Sequence, residues 1–162
     1  MFNKQVMIYV FNNLLSQSKK SYDEFNAVDG KIGDGDLGIT ILNGLEEINK
    51  NIEKFTDDLS TNFMLCSQAF VKKSGSSFGT LIAFSFMNIS KNLKGKNTCD
   101  NKDIITMVDT AMRTIQERGK TKVGDKTILD TLDFILRNLK ATKDNINYPE
   151  LFKLSTKEAL NA

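Results

Sequence analysis

Apolar residues recur at helical spacing along most of the chain, in segments that short polar stretches separate. In one segment, for example, Ile104, Val108 and Ile115 fall at i, i+4 and i+11 and so share one face of a helix. No stretch alternates apolar and polar residues over a useful length, and the chain contains one proline. The pattern predicts an all-α fold whose seven helices share a core, at about residues 2–26, 39–54, 60–73, 77–93, 104–118, 128–139 and 149–162.

The loop before the second predicted helix, residues 29–38, combines three aspartates with four glycines. Asp29, Asp34 and Asp36 repel one another at close range unless a cation lies between them. Hard divalent cations such as Mg²⁺ prefer oxygen ligands and complete their shell with water and substrate phosphates. Glycines allow a ligand to approach the main chain closely. The loop is therefore a candidate site for Mg²⁺ and a phosphorylated compound, and the alternative is a solvated acidic turn.

Two other motifs share part of this spacing and are excluded. Three glycines of the loop match the dinucleotide fingerprint G-x-G-x-x-G, but that fingerprint follows a buried strand, and helical periodicity precedes this loop. An EF-hand requires a glutamate at its twelfth position. That position is Thr40 for a loop beginning at Asp29, and Leu45 for one beginning at Asp34.

Two further loops, before the fourth and sixth predicted helices, carry groups that suit phosphate. Residues 74–80 read SGSSFGT, where helix N-terminal amides and the hydroxyls of Ser76 and Ser77 could hold phosphate oxygens. The alternative there is a simple serine N-cap. Residues 118–127 read RGKTKVGDKT and approach a P-loop, but Asp125 interrupts the motif and no strand precedes it. Because up-and-down helices place alternate loops at the same end of a bundle, we expect the three loops to converge.

Composition excludes several other classes of function. The chain has 162 residues, which suits a single domain over residues 1–162, and its net charge of +2 gives no argument for nucleic-acid binding. It contains no histidine, so neither a histidine-based triad nor a histidine-bound zinc can be built from it alone. Cys66 and Cys99 are too few for a disulfide framework and are expected to be free thiols. No segment approaches the roughly 18 apolar residues of a membrane span, and we expect a cytoplasmic protein.

Together the three loops resemble those of the ADP-binding subunit of dihydroxyacetone kinase and of the equivalent domain in single-chain dihydroxyacetone kinases. The family pattern reads L-D-x-x-I-G-D-x-D-H-G, then G-G-[AST]-S-G, then R-G-K-x-x-x-G-D-K-T-M. This chain has VDGKIGDGDLG, SGSSFGT and RGKTKVGDKTI at the corresponding places. The resemblance implies an antiparallel up-and-down helical barrel of eight helices, with about seven present here and the nucleotide at one rim.

The resemblance also implies ligands, partners and site residues. ADP or ATP would be held through two Mg²⁺ ions bound by Asp29, Asp34 and Asp36. A separate subunit would hold dihydroxyacetone on its own histidine, and the phosphoryl donor would be either ATP or a protein of the phosphotransferase system. No side chain of this chain need act as a general base. The residues expected at the nucleotide are Leu37, Gly38, Ile39, Thr40, Ser76 and Ser77 along the phosphates, and Gly119 and Ile128 near the adenosine.

Three departures from the family pattern keep alternatives open. Leu37 replaces the family's histidine, Phe78 replaces a glycine, and the family's C-terminal helix and nucleotide-covering segment have no counterpart before Ala162. We therefore expect a truncated chain or a degenerate paralogue, with an apolar groove that favours self-association. The alternatives to a kinase subunit are a non-catalytic regulatory module and a nucleotide-binding domain of the fatty-acid-kinase type.

Overall fold

The computed structural model describes residues 1–141 together with Lys153 and Lys157. The chain divides into two compact units, Met1–Cys99 and Asp100–Ala162, and a single domain over the whole chain stays a prediction. The seventh predicted helix, residues 149–162, lies outside the described residues except for Lys153 and Lys157, which have helical backbone. Within the described part of the chain, no helix has the length and apolar character needed to cross a membrane.

The first unit contains five α-helices, a 3-10 turn and one small antiparallel sheet. The helices are α1 (Lys4–Lys20), α2 (Tyr22–Asp29), α3 (Leu37–Lys50), α4 (Leu59–Lys73) and α5 (Ser77–Asn92), and the 3-10 turn is Ile52–Lys54. The strands β1 (Phe2–Asn3) and β2 (Thr98–Cys99) have two residues each and join the two ends of the unit. The predicted all-α class is therefore confirmed, and the two short strands were not predicted.

The first predicted helix, residues 2–26, is wrong as a single element. Its backbone breaks at Ser21, where φ is −97° and ψ is 7°, and α2 then continues to Asp29. Residues 16–21 carry only polar side chains, so no apolar contact continues the buried face of α1 through them. Asp23 and Glu24 lie in the first turn of α2, where acidic side chains stabilise the start of a helix. The break allows α2 to pack against α3 as a separate helix.

The helix α3 packs against α1, α2, α4 and α5 and is the central element of the first unit. Its residue Gly44 faces the ring of Phe70 on α4 so closely that any Cβ there would overlap the ring. Glu47 of α3 is 4% exposed, and its Oε1 lies 2.5 Å from Nζ of Lys72 on α4. The hydrogen bond from Lys72 lowers the pKa of Glu47. These contacts fix α3, and with it the position of its N-terminal turn.

The helices α4 and α5 are joined by buried serines and by aromatic rings. The hydroxyls of Ser60 and Ser90 each donate to the other's main-chain carbonyl at 2.8 Å, and Ser67 donates to the carbonyl of Ala83 at 2.8 Å. A phenylalanine cluster with ring centroids 5.8–6.4 Å apart fills the space beside them, formed by Phe2, Phe11, Phe55, Phe63, Phe70 and Phe86. These contacts hold α5, whose N-terminus follows the second loop.

The second unit is described by the antiparallel pair α6 (Asn101–Gly119) and α7 (Ile128–Ala141), which pack against each other. A capping box begins α6, because the side chains of Asp100 and Asp103 each accept a hydrogen bond from the other's main-chain N–H. Lys140 of α7 lies 3.6 Å from the carboxylate of Asp109 on α6. The fifth and sixth predicted helices are confirmed, and the third loop connects them.

Candidate functional site

The three aspartates of the first loop come together where α2 ends and α3 begins. Asp29 is the last residue of α2, Asp34 lies in the loop, and Asp36 directly precedes α3. One carboxylate oxygen from each residue lies within 4.8 Å of the other two. Asp34 is exposed, and the other two side chains are half-buried. The fold therefore brings together the three carboxylates that the sequence predicts as a site. Their role as metal ligands stays a prediction.

Asp29 organises the backbone of this loop as well as contributing a carboxylate. Its carbonyl oxygen accepts hydrogen bonds from the N–H groups of Ile32 at 3.1 Å and Gly33 at 2.6 Å, and its Oδ2 accepts from the N–H of Asp36 at 3.0 Å. A Cβ on Gly33 would lie 2.6 Å from Asp29 Oδ1, so glycine lets the chain pass over the carboxylate. Gly35 has φ of +75°, a left-handed conformation that suits glycine.

The electrostatics of the cluster favour a bound cation. Burial raises the pKa of Asp36, and the negative charges of Asp34 and Asp29 raise it further. A divalent cation between the carboxylates would cancel their mutual repulsion. The donors are all carboxylate oxygens, which is the ligand type that Mg²⁺ prefers. The residues present therefore fit Mg²⁺.

The second loop lies directly beside the first. Thr40, 3% exposed in the first turn of α3, donates its hydroxyl to Ser76 Oγ at 2.8 Å. Ser76 is the N-cap of α5 and also accepts the N–H of Gly79 at 3.1 Å. Gly79 is buried where any Cβ would overlap the side chain of Ser74. The expected convergence of these two loops is confirmed, and Ser77 is exposed at the start of α5.

The N-terminal amides of α3 are engaged within the protein. The N–H groups of Gly38 and Ile39 donate to Asn26 Oδ1 at 2.7 and 3.3 Å, and the N–H of Thr40 donates to the carbonyl of Asp36 at 2.8 Å. Gly38 is buried, and Ile39 is 42% exposed. Leu37 is half-buried as the first residue of α3. These four residues, expected along the phosphates, thus form the first turn of the helix that follows the aspartates.

Gly119 and Ile128, expected near the adenosine, are exposed residues at the two ends of the third loop in the second unit. Asp130 of α7 holds this loop, because its two carboxylate oxygens accept the N–H groups of Gly124 at 2.6 Å and Thr127 at 2.9 Å. These two hydrogen bonds lower the pKa of Asp130. The carboxylate is thus already satisfied by the main chain.

Sequence reasoning missed two residues that organise these loops, Asn26 and Asp130. Asn26 lies three residues before Asp29 and so shares its face of α2, which points at the start of α3. Thr127 and Asp130 form the T-x-x-D signature of a capping box. Thr127 caps α7 by accepting the N–H of Leu129 at 3.2 Å, and Asp130 accepts the N–H of Thr127.

Comparisons with known proteins show that the chain is similar to components of dihydroxyacetone kinases. The DAK2 domain matches residues 31–162. The chain is 28% identical over 139 residues to the ADP-binding subunit DhaL of the PEP-dependent dihydroxyacetone kinase 1 of Listeria innocua, covering 85% of this chain and 70% of that subunit. It is 30% identical over 140 residues to the ADP-binding subunit DhaL of the PTS-dependent dihydroxyacetone kinase of Lactococcus lactis, covering 84% of this chain and 69% of that subunit.

The fold is also found in a solved structure of dihydroxyacetone kinase from C. freundii in complex with AMP-PNP and Mg²⁺. The match has a TM-score of 0.76 at 21% identity and covers 96% of this chain. The chain spans only 29% of that kinase, so this likeness concerns the fold of one part of it. Since the family match extends over residues 31–162, the chain belongs to the DAK2 domain family.

Proposed function

We propose that this chain is the nucleotide-binding component of a dihydroxyacetone kinase, and that Asp29, Asp34 and Asp36 hold ADP or ATP through two Mg²⁺ ions. The observation that carries the proposal is the approach of three carboxylate oxygens to within 4.8 Å of one another in a DAK2-domain chain. Two relatives are named as ADP-binding subunits, and a kinase of the same fold was crystallised with AMP-PNP and Mg²⁺. These names support a nucleotide ligand for this chain.

Bound Mg²⁺ would neutralise phosphate oxygens and so favour phosphoryl transfer without a covalent intermediate on the protein. Within the chain, Asp29 accepts the main-chain N–H of Asp36 through one carboxylate oxygen, and the same carboxylate is a member of the cluster. Ser76 Oγ already accepts hydrogen bonds from Thr40 and Gly79. Its own proton remains to be donated, either to Ser74, 3.4 Å away, or to a phosphate oxygen. The second loop would therefore orient the phosphates beside the carboxylates.

The ketone substrate has to be held elsewhere. The chain contains no histidine, so it cannot hold a ketone on one, and we propose that a partner subunit does so. The nucleotide is then either exchanged as ATP or rephosphorylated in place by a phosphotransferase protein. The purified chain should leave dihydroxyacetone and ATP unreacted until a dihydroxyacetone-binding subunit is added, as followed by product formation. Phosphorylation of dihydroxyacetone by the chain alone would contradict the proposal that a partner subunit holds the ketone.

The metal assignment is tested by thermal melts with ADP, with and without Mg²⁺. Asp34→Asn is the informative variant because Asp34 is exposed, whereas the Asp29 side chain also holds the main chain. Asp57→Asn is the matched control, since Asp57 pairs with Lys4 outside the cluster. ADP at 100 times its Kd should stabilise the unaltered chain and Asp57→Asn by about 2.7 kcal/mol, and only with Mg²⁺. Equal stabilisation of Asp34→Asn would refute the assignment.

A second candidate function is a module that binds nucleotide without turnover. Leu37 favours it, because leucine stands where the family pattern has a histidine and can neither donate nor accept a hydrogen bond. Reconstitution with a dihydroxyacetone-binding subunit separates the two candidates. Magnesium-dependent ADP binding without product formation would establish the second.

A further inference from the structure

The first turn of α3 is capped by a residue from another helix instead of by its own N-cap residue. Asp36 occupies the N-cap position, with φ of −103° and ψ of 2°, yet its side chain makes no hydrogen bond to the helix amides. Aspartate is among the most effective N-cap residues, and its carboxylate ordinarily accepts from the amides two or three positions on. Here the N–H groups of Gly38 and Ile39 donate to Asn26 Oδ1 instead. The amides that Asp36 would normally engage are therefore already taken.

Asn26 can cap α3 in place of Asp36 because α2 lies close to the start of α3. Asn26 and Asp29 lie one helical turn apart on α2 and share a face. Gly38 is buried, and a Cβ there would lie 2.7 Å from Asn26 Oδ1 and would also overlap the carbonyl of Tyr22. Glycine at position 38 thus lets the amide oxygen of Asn26 reach the start of α3. A neutral amide performs the capping without adding a fourth negative charge beside the three carboxylates.

We propose that Asn26 is a positioning residue for the metal ligands: by capping α3, it keeps the carboxylate of Asp36 directed at Asp29 and Asp34. This inference rests on the proposed magnesium-dependent function. Without Asn26, the N–H groups of Gly38 and Ile39 would lack an acceptor. The Asp36 carboxylate, already at the N-cap position, is the nearest group that could replace it, and by turning to the helix it would leave the cluster.

The first test measures Mn²⁺ binding in the presence of ADP by electron paramagnetic resonance of the free ion. Loss of a group that orients a metal ligand typically weakens metal binding by about 10–100-fold, so Asn26→Ala should weaken Mn²⁺ binding at least about tenfold. Asn26→Asp keeps an acceptor for the two amides and should bind Mn²⁺ at least as tightly as the unaltered chain. Asn49→Ala is the control, because Asn49 lies at the opposite end of α3 from the loop and donates its side-chain amide to Asn12. Unchanged Mn²⁺ binding by Asn26→Ala would overturn the proposal.

The second test is a double-mutant cycle in EDTA, read by urea unfolding of the unaltered chain, Asn26→Ala, Asp36→Ala and the double variant. If Asp36 takes over the cap only when Asn26 is absent, Asp36→Ala should lower the free energy of unfolding in the Asn26→Ala background. In the chain that keeps Asn26, the same substitution should leave the free energy of unfolding unchanged or raise it. Equal effects of Asp36→Ala in both backgrounds would overturn the proposal. The cycle contains no metal, so it separates failure of this inference from failure of the proposed function, which would appear as absence of Mn²⁺ binding by the unaltered chain.

Discussion

The first loop (residues 29–38) and the third loop with the first turn of α7 (residues 118–130) both carry glycines and aspartates ahead of a helix. Their carboxylates have different partners. In the third loop, Asp130 accepts two main-chain N–H groups, and Asp125 accepts the N–H of Lys122 at 2.9 Å. In the first loop, the N–H groups at the start of α3 donate hydrogen bonds to Asn26, and the three carboxylates lie close to one another. The same residue types therefore stabilise a turn in one region and form a cluster of mutually repelling charges in the other.

The hydrogen-bond partners of a carboxylate are therefore more informative about its role than its position in a sequence motif. Hydrogen bonds from Gly124 and Thr127 lower the pKa of Asp130, whereas burial and two neighbouring carboxylates raise that of Asp36. A carboxylate whose charge the main chain already stabilises has little to gain from a cation. One whose charge is opposed by its neighbours gains most. We infer that the first loop is the ligand site and that the acidic residues of the third serve its conformation.

The largest expected contrast is between Gly38→Ala and Gly124→Ala. A methyl group at position 38 would overlap Tyr22 and Asn26, so we expect a loss of about 3 kcal/mol in unfolding free energy, at the upper end for overpacking. At position 124, φ is +97° and nothing lies near the added methyl group, so the loss should be about 1 kcal/mol from backbone strain alone. Urea unfolding measures both values.

Ligand binding separates the same two glycine variants. Magnesium-dependent ADP binding should be lost in Gly38→Ala, because the added methyl group would push α2, which carries Asp29, away from the start of α3 and separate the three carboxylates. Similar stability losses and similar binding in the two variants would contradict the contrast between the loops.

Next in size is the difference between Asp130→Ala and Asp34→Ala in the melting temperature of the metal-free protein. Removing Asp130 deprives two N–H groups of their acceptor and should lower the melting temperature. Removing Asp34 takes away a charge that opposes ionisation of Asp36 and should leave the melting temperature unchanged or raise it. Melts in EDTA measure the two shifts. A clear loss of stability in Asp34→Ala would show that its carboxylate also has a structural role.

The helices and the acidic cluster were predictable from the sequence because they depend on local spacing. The apolar repeat located α3 to α7 to within a few residues, and the density of aspartate and glycine located the first loop. The break at Ser21 was missed, since the prediction extended one helix across a polar stretch that shows no periodicity. The resulting α2 helix is what brings Asn26 to α3.

The supporting residues of the site depend on tertiary contacts that spacing does not reveal. Asn26 reaches amides 12 and 13 residues away, and Thr40 reaches a hydroxyl 36 residues away. An asparagine on a helix and a threonine in a first turn are common, so neither residue type indicates a distant partner. The cap that Thr127 and Asp130 form at the start of α7 was different, because its T-x-x-D signature is present in the sequence.

The smallest expected effect is the pH dependence of the third loop. The pKa of Asp130 is lower in the folded chain than its ordinary value of 3.8, so its stabilisation is complete above that pH and is lost as the pH falls through the folded-state value. The melting temperature of the unaltered chain should therefore exceed that of Asp130→Asn at pH 7, and the difference should shrink below about pH 4. A difference that stayed constant down to pH 2 would indicate that the carboxylate charge is unimportant to the loop.

Metal binding by the carboxylates of the first loop can be seen in a crystal structure of the chain grown with ADP and Mn²⁺. Anomalous scattering at the manganese edge distinguishes the ions from water and from lighter atoms. We expect two manganese peaks in contact with the carboxylates of Asp29, Asp34 and Asp36, and the Asn26 amide oxygen still at the start of α3. Bound ADP with no manganese peak at these carboxylates, or an Asp36 carboxylate turned to the amides of Gly38 and Ile39, would contradict this expectation.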